Sequence, residues 1–253
     1  MIKTNPFSLA DKHILVTGAS SGIGREVAVW ISKQGATVTL AARDTSRLES
    51  TLAMMDGSGH KVEVIDFLDG TDCSQWLKSM AKVSSPFDGL VHAAGVQMPM
   101  PIRATSVAHW EKIMATNVTS GFSLIKAFRQ KGVCNLDSSI VLISSVMAQA
   151  GESALLGYCA SKGAVESMVR AAAVELARER IRVNAIAPGV VQTELVDTLQ
   201  GLVGADAMKV IEQRHPLGFG QAQDVAYAAN YLLSPAARWV TGTALVVDGG
   251  YLA

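Results

Sequence analysis

The amino-acid sequence predicts an α/β protein with a doubly wound, seven-stranded parallel sheet flanked by helices on both faces. Two observations lead to this fold class. Short β-branched and aliphatic runs alternate with longer amphipathic stretches along the whole chain, and parallel strands require such crossover helices. A glycine-rich turn follows the first run directly, at the position where doubly wound sheets bind the phosphates of a nucleotide.

The alternation continues from the first predicted strand to the end of the chain. The predicted strands are His13–Thr17, Thr37–Ala41, Val62–Ile65, Gly89–His92, Ile140–Ser144, Arg182–Ile186 and Ala244–Val247. The predicted helices are Ile23–Gln34, Ser46–Met55, Cys73–Lys82, Ala108–Gln130, Tyr158–Arg180 and Asp224–Leu233. Because no linker or repeat interrupts the pattern, we expect residues 1–253 to form one domain. Pro188 to Leu233 contains no predicted strand, and residues 189–220 within it are expected to form a substrate lid.

The composition excludes several classes of protein. Of the 253 residues, 49% are hydrophobic and 17% are charged, which excludes a disordered chain. Basic and acidic residues both number 22, so the basic surplus of a nucleic-acid-binding protein is missing. The cysteines, Cys73, Cys134 and Cys159, have no disulfide-framework or metal-ligand spacing. Since no apolar run reaches the length of a membrane span or signal peptide, we expect a cytoplasmic protein that binds no metal, nucleic acid or membrane.

The turn after the first strand reads Gly18-Ala-Ser-Ser-Gly-Ile-Gly24. Glycines permit close backbone approach, and the N–H groups of the next helix can then face a pyrophosphate. The spacing is GxxxGxG rather than GxGxxG, and taken alone the turn could be only a tight connection. Its place between the first strand and first helix favours phosphate binding. The predicted contacts are Gly18, Ser20, Ser21, Gly22, Ile23 and Gly24.

The end of the second strand indicates which dinucleotide is bound. An acidic residue at this point holds the ribose hydroxyls in NAD-binding folds, but here Ala42 takes that place and Arg43 follows. A guanidinium pairs well with a 2′-phosphate, which a carboxylate would repel. We therefore predict NADP(H), with NAD(H) as the alternative if Asp44 reaches the ribose. Otherwise Asp44 or Thr45 caps the next helix.

The predicted catalytic pair is Tyr158 and Lys162, four residues apart on one helix face. A phenol with a pKa near 10 is a poor acid or base at neutral pH. An ammonium nearby favours the phenolate, so we expect Lys162 to lower the pKa of Tyr158. Tyr158 would then exchange a proton with a substrate oxygen.

These motifs resemble those of the short-chain dehydrogenase/reductase (SDR) family, whose single-domain members share the TGxxxGIG turn and the YxxxK pair. The resemblance covers essentially the whole chain, and the ending, Val240–Gly250, is similar to that of 3-oxoacyl-[acyl-carrier-protein] reductases. It implies one Rossmann domain, a nicotinamide cofactor, and a homotetramer paired through the helices Ala108–Gln130 and Tyr158–Arg180.

The resemblance also implies roles for further residues. Ser145 corresponds to the catalytic serine that polarises the substrate oxygen, and Asn117 to an asparagine that bends its helix and relays protons to Lys162. His92 stands where the family most often has asparagine, and we expect it to donate to the backbone of a neighbouring strand. The other implied cofactor contacts are Asp66, Phe67, Ala93, Pro188, Gly189, Val191 and Thr193.

Together these features predict an NADP(H)-dependent ketoreductase that transfers a hydride between nicotinamide and a carbonyl or secondary alcohol. Two alternatives remain open. A 3-oxoacyl-[acyl-carrier-protein] reductase would act on an acyl thioester and needs a basic landing surface, for which Arg103, Arg129 and Arg214 are scattered candidates. The other is a non-catalytic dinucleotide sensor or scaffold. Substrate choice depends on three segments, which are Gly95–Thr105, Val146–Gly157 and Val190–Gly220.

Overall fold

A computed structural model describes residues 5–194, 196 and 205–253. Its main feature is a seven-stranded sheet with the strand order β3-β2-β1-β4-β5-β6-β9, in which every neighbouring pair is parallel. The strands are β1 His13–Thr17, β2 Thr37–Ala42, β3 Lys61–Val64, β4 Phe87–His92, β5 Cys134–Ile143, β6 Arg182–Pro188, β7 Val191–Gln192, β8 Gly220–Gln221 and β9 Ala244–Val247. The predicted doubly wound fold is confirmed.

Helices cover both faces of this sheet. The α-helices are α1 Gly22–Lys33, α2 Thr45–Leu52, α3 Cys73–Val83, α4 Val107–Met114, α5 Ser120–Phe128, α6 Leu156–Leu176, α7 Ala205–Gln213 and α8 Ala222–Leu233. A π-helical segment, Ala115–Thr119, joins α4 to α5. Short 3₁₀ turns lie at Ile102–Ala104, Val146–Ala148, Ala177–Glu179 and Pro235–Ala237.

The strands are buried on both faces, which is why they read as continuous apolar runs rather than alternating ones. In β1, Ile14 and Val16 belong to the hydrophobic layer that contains the buried faces of α1 and α8. Leu15 points the other way, into the layer formed with α3, α5 and α6. The period of two along a strand therefore divides one short segment between two cores.

The ligand-binding edge of the sheet follows from the strand order. β1 pairs with β2 on one side and with β4 on the other, so the chain direction across the sheet reverses between β1 and β4. At such a switch point the loops after the two strands diverge and leave a crevice at their carboxyl ends. The glycine-rich turn after β1 and the segment after β4 border this crevice.

The region after β6 differs from the sequence prediction of no strand between Pro188 and Leu233. β6 extends to Pro188, and β7 pairs with β8 in a separate two-stranded parallel sheet. Each of these two strands is only two residues long, and so short a strand leaves no periodic pattern in the sequence. The predicted lid, residues 189–220, is described here at 189–194, 196 and 205–220, and its remaining residues lie outside the described part of the chain.

Within the described ranges, no helix combines the length and apolar character needed to cross a membrane.

Candidate active site

Two glycines of the turn after β1 occupy positions with no room for a side chain. Gly18 has φ +68°, and a Cβ there would lie 2.6 Å from the backbone N of Ala94. A Cβ on Gly24 would lie 2.2 Å from the carbonyl oxygen of Gly18. Both distances are far below a van der Waals contact, so α1 can approach β1 and the β4 loop only because these positions are glycines.

The N-terminus of α1 has donors to offer a ligand. Ser21 is the N-cap in an extended conformation, its side chain makes no capping hydrogen bond, and the first turn contains no acidic residue. A helix of 12 residues presents partial positive charge at this end. The guanidinium of Arg25 donates to the carbonyl of Ser20 (2.5 Å) and braces the turn. This cradle fits a pyrophosphate.

The two charged side chains after β2, Arg43 and Asp44, have different surroundings. Asp44 caps α2 by accepting from the N–H of Arg47 (3.0 Å), as one of the sequence alternatives predicted. Arg43 is 72% exposed, and its Nη1 lies 4.0 Å from Oδ2 of Asp66. These two residues line a cavity of about 410 Å³ together with Trp76. An exposed guanidinium beside this cavity can reach a phosphate group.

His92 has a different set of partners from the one predicted. Its Nδ1 lies 2.6 Å from the hydroxyl of Thr17 and its Nε2 lies 2.9 Å from that of Ser120, so it contacts side chains rather than strand backbone. Ser120 donates its own proton to the carbonyl of Thr116 (2.5 Å), which assigns the imidazole proton to Nε2. Imidazole reaches farther than the amide of asparagine, which explains why the prediction was wrong. His92 joins β1, β4 and α5.

Burial keeps His92 neutral. Loss of solvation lowers its pKa to about 3, and the charge of Lys162 contributes in the same direction. The ring of Phe67 packs edge to face against the imidazole, with the ring centres 5.8 Å apart. Ala93, the next residue, donates its N–H to the carbonyl of Thr17 (3.2 Å) and continues the contact between the β1 and β4 loops.

Ser145 and Tyr158 come together at the carboxyl end of β5. Ser145 is buried and caps the 3₁₀ turn that follows it, and its hydroxyl lies close enough to that of Tyr158 to influence the pKa of the phenol. Tyr158 lies in the first turn of α6, which begins at Leu156. The two hydroxyls can therefore contact one substrate oxygen.

The structure does not show the expected lowering of the Tyr158 pKa by Lys162. Burial raises the pKa of Tyr158, and the nearby hydroxyl of Ser145 opposes this only in part. The ammonium of Lys162 lies 5.6 Å from the centre of the Tyr158 ring, and it donates to the carbonyl of Ile143 (2.8 Å). Burial also lowers the pKa of Lys162 to about 8. Desolvation therefore outweighs the charge of the lysine, and the phenol holds its proton at neutral pH.

Asn117 lies in the π-helical segment between α4 and α5. Its Oδ1 accepts from the N–H of Val96 (2.8 Å), while its Nδ2 donates to the carbonyl of the same residue (2.9 Å) and to the hydroxyl of Ser161 (3.0 Å). A Cβ on Gly95 would lie 3.3 Å from Asn117 Oδ1 and 3.6 Å from Lys162 Nζ. The asparagine thus holds the β4 loop beside the lysine.

The segment after β6 closes the other side of the crevice. Gly189 donates to the carbonyl of Val247 (3.0 Å), and Val191 is buried in β7. A Cβ on Gly22 would lie 3.4 Å from Cγ2 of Thr193. Thr193 therefore lies beside the glycine-rich turn, while Gly189 lies against the end of β9.

Sequence reasoning missed His215. This buried side chain accepts from the N–H of Val190 (3.1 Å) at Nε2, and its Nδ1 lies 2.9 Å from the carbonyl of Ile211. It couples the end of α7 to the loop after β6. A single histidine in a loop carries no spacing signal, so only the tertiary contacts identify it. Among the described residues, no cluster of histidine, cysteine or acidic side chains could hold a metal ion.

Comparison with known proteins identifies the family. A family model described as enoyl-(acyl carrier protein) reductase matches residues 18–252. Gluconate 5-dehydrogenase from Gluconobacter oxydans (strain 621H) is 32% identical over 248 residues, which cover 96% of this chain and 96% of that protein. The chain belongs to the SDR family.

Other SDR proteins show the same full-length similarity. The 5-keto-D-gluconate 5-reductase of Escherichia coli (strain K12) is 32% identical over 250 residues, covering 97% of both chains. A solved structure from Agrobacterium tumefaciens, provisionally named a 2-deoxy-D-gluconate 3-dehydrogenase and containing bound NADP, has a TM-score of 0.88 and 34% identity. That alignment covers 98% of this chain and 99% of the other. These named SDR relatives are oxidoreductases of alcohol and keto groups.

Proposed function

We propose that this SDR protein is an NADP(H)-dependent oxidoreductase that interconverts a carbonyl compound and the corresponding secondary alcohol. The observation that carries this proposal is the convergence of Ser145 and Tyr158 hydroxyls beside Lys162, next to a turn whose glycines leave room for a pyrophosphate. The dehydrogenases and reductases among its relatives support the same reaction class.

In this mechanism the chain's own residues handle the substrate oxygen and its proton. Ser145 donates a hydrogen bond to the carbonyl oxygen and polarises it. Tyr158, which burial keeps protonated, gives its proton to that oxygen as negative charge develops. A bound nicotinamide supplies the hydride to the carbon, or accepts it in the reverse direction. Tyr158 must then recover a proton before the next cycle.

Lys162 and Asn117 support this proton transfer. With a pKa lowered to about 8, Lys162 is cationic at neutral pH and can stabilise the phenolate left after the proton is given away. Asn117 holds the loop of Val96 against this lysine. We propose that both act on Tyr158, Lys162 through charge and Asn117 through position, and that Lys162 also binds the nicotinamide ribose.

Arg43 supports the choice of NADP(H). Asp44 was the acidic residue that could have held the ribose of NAD. Since it caps α2 instead, it does not favour NAD. Arg43 is exposed at the edge of the neighbouring cavity, where its planar fork suits a 2′-phosphate. The similar Agrobacterium tumefaciens protein was solved with NADP, which favours the same cofactor here.

We further propose a homotetramer with two-fold axes. Large apolar side chains are exposed on the helices that the family resemblance places between subunits, with Phe122 of α5 54% and Val174 of α6 82% exposed. Such side chains gain by burial against a second copy. Light scattering at micromolar concentration should give the mass of four chains, and a monomer would contradict this assembly.

A turnover screen tests the proposed reaction. Purified protein is mixed with ketones, oxo acids and an acyl thioester, each with NADPH and with NADH, and cofactor oxidation is followed by absorbance. We expect carbonyl-dependent oxidation that is faster with NADPH. Tight NADPH binding without turnover of any carbonyl would instead favour a dinucleotide sensor, and a clear preference for NADH would contradict the role of Arg43.

A further inference from the structure

An ion pair connects two of the three segments that border the substrate side. Nη1 of Arg214, at the end of α7, lies 2.7 Å from Oε2 of Glu152, in the loop that leads into α6. The hydrogen bond from Arg214 lowers the pKa of the Glu152 carboxyl, so the pair is ionised at neutral pH. Both side chains remain close to half exposed, and exposed ion pairs are weak enough to exchange partners.

An aromatic ring packs against the guanidinium of Arg214. The guanidinium lies 4.6 Å from the centre of the Tyr251 ring, and Tyr251 packs at 4.8 Å against His215. His215 in turn holds the N–H of Val190, in the loop that passes over the cofactor crevice. A guanidinium that stacks on an aromatic face keeps its edge donors available, and only one of those donors has a described protein acceptor.

A second arginine lines a cavity that Glu152 shares. Arg103 and Glu152 line a cavity of about 460 Å³ that also contains Cys159, the residue next to Tyr158. Within the described part of the chain, Arg103 makes no hydrogen bond or ion pair. Among the described lining residues Glu152 is the one carboxylate, so the same negative charge lies in the cavity that Arg103 lines and in the ion pair with Arg214.

We infer that this site selects a carbonyl substrate that bears a carboxylate, which Arg214 and Arg103 receive in exchange for Glu152. The inference rests on the proposed carbonyl reduction and narrows its substrate class. A carboxylate accepts two parallel hydrogen bonds from one guanidinium, and a second cation nearby compensates for its lost hydration. Glu152 occupies the position of that substrate group in the free protein and gives way when the substrate binds.

The test compares acids with their uncharged esters. Acetoacetate, 4-oxopentanoate and 5-oxohexanoate are each assayed against the methyl ester with NADPH, and the ratio of kcat/KM for acid over ester is the readout. The intrinsic difference in ketone reactivity between acid and ester is the same for every variant, so a change of the ratio between variants reports the recognition of charge. The wild-type ratio should exceed one for at least one chain length and should fall as the salt concentration rises.

Opposite changes on the two partners of the ion pair distinguish recognition from mere structure. Arg214→Gln should lower the acid-to-ester ratio by about tenfold, the usual worth of a charged hydrogen bond. Glu152→Gln should raise the same ratio by about threefold because it removes a competitor of the substrate. Arg129→Gln, which breaks the ion pair with Glu179 elsewhere on the surface, should leave the ratio unchanged.

Several outcomes would overturn the inference without touching the proposed reaction. One is reduction of the esters at rates equal to or above those of the acids, and another is a fall of the ratio in both Arg214→Gln and Glu152→Gln. If neither form is turned over, calorimetric titration of the NADP⁺-loaded protein with each acid and ester replaces the kinetic readout. Absence of tighter binding by the acids would then refute carboxylate selection, whereas the missing turnover would count against the proposed reaction.

Discussion

The dinucleotide side and the substrate side of this SDR protein are built in contrasting ways. The phosphate cradle lies within one short stretch between β1 and α1, and its shape is set by backbone that closes on itself, as the contact of Gly24 with Gly18 shows. The substrate side is assembled from three distant segments joined by side chains such as Glu152 and Arg214. We expect a substitution in the phosphate cradle to disturb its whole backbone shape. A substitution on the substrate side should change only the contact that this side chain makes.

The largest effect is expected at the substrate side, from Tyr158→Phe. Removing the hydroxyl abolishes the proton donor, so turnover should fall by about a hundredfold or more. Cofactor binding, measured by quenching of tryptophan fluorescence with NADPH, should stay near the wild-type level because the cradle is untouched. Tyr227→Phe, which removes the hydroxyl of an exposed tyrosine on α8, is the matched control and should retain activity. Full turnover by Tyr158→Phe would disprove the assigned mechanism.

Gly24→Ala should damage the cradle as a unit. The added Cβ would lie 2.2 Å from the carbonyl of Gly18, so α1 must shift, at a cost of about 2 kcal/mol or more in the free energy of unfolding. NADPH affinity should fall with it. Gly163→Ala serves as the control in urea unfolding. Gly163 lies within α6, and its added Cβ would be 3.8 Å from the carbonyl oxygen of Ala148. Equal stability of the two variants would contradict the steric account.

Arg43→Gln should have a smaller and more selective effect. Loss of the guanidinium should reduce the preference for NADPH over NADH by about tenfold, with little change in NADH-dependent turnover. The ratio of kcat/KM for the two cofactors measures this directly. Arg178→Gln, in the 3₁₀ turn after α6, removes an exposed arginine far from the adenosine side and should leave the ratio alone. An unchanged ratio in Arg43→Gln would place the 2′-phosphate elsewhere.

The most indirect effect concerns His92 and appears as a pH dependence of stability. Its folded pKa of about 3 lies below the ordinary value of 6.5, so the unfolded chain binds the extra proton first. The contribution of neutral His92 is therefore complete above pH 6.5 and is lost progressively as the pH falls toward 3. Urea unfolding between pH 7 and pH 4.5 should show a shallower decline for His92→Asn than for wild type. Parallel declines would mean that other groups carry the acid sensitivity.

Periodicity and motif spacing predicted much of the fold. β1 and β9 have the predicted bounds, and the apolar runs of the other main strands fall within a few residues of the prediction. β5 begins earlier than predicted, at Cys134. Its first residues are mostly polar and exposed, so the apolar pattern did not extend to them. The helix predicted as Ala108–Gln130 is interrupted by the π-helical segment around Asn117, a local change of register that an apolar pattern does not record.

The roles of the site residues depend on tertiary contacts rather than on motif spacing. The four-residue spacing of Tyr158 and Lys162 places them on one face of a helix in any context, so sequence could bring them together. Their ionisation depends on how completely the surrounding elements exclude water, and desolvation reverses the expected direction for Tyr158. The partners of His92 and the ion pair of Arg214 likewise join residues that are far apart in the chain.

What the sequence by itself determined was whatever local geometry dictates: the α/β alternation, the glycine cradle and the shared face of Tyr158 and Lys162. Backbone sterics and helix periodicity act over a few residues and are therefore readable in the order of amino acids. Only the tertiary structure decided the proton on His92, the direction of the Tyr158 pKa and the meeting of Arg214 and Glu152. Solvation and long-range ion pairing depend on which distant surfaces come together, and no short stretch of sequence contains that information.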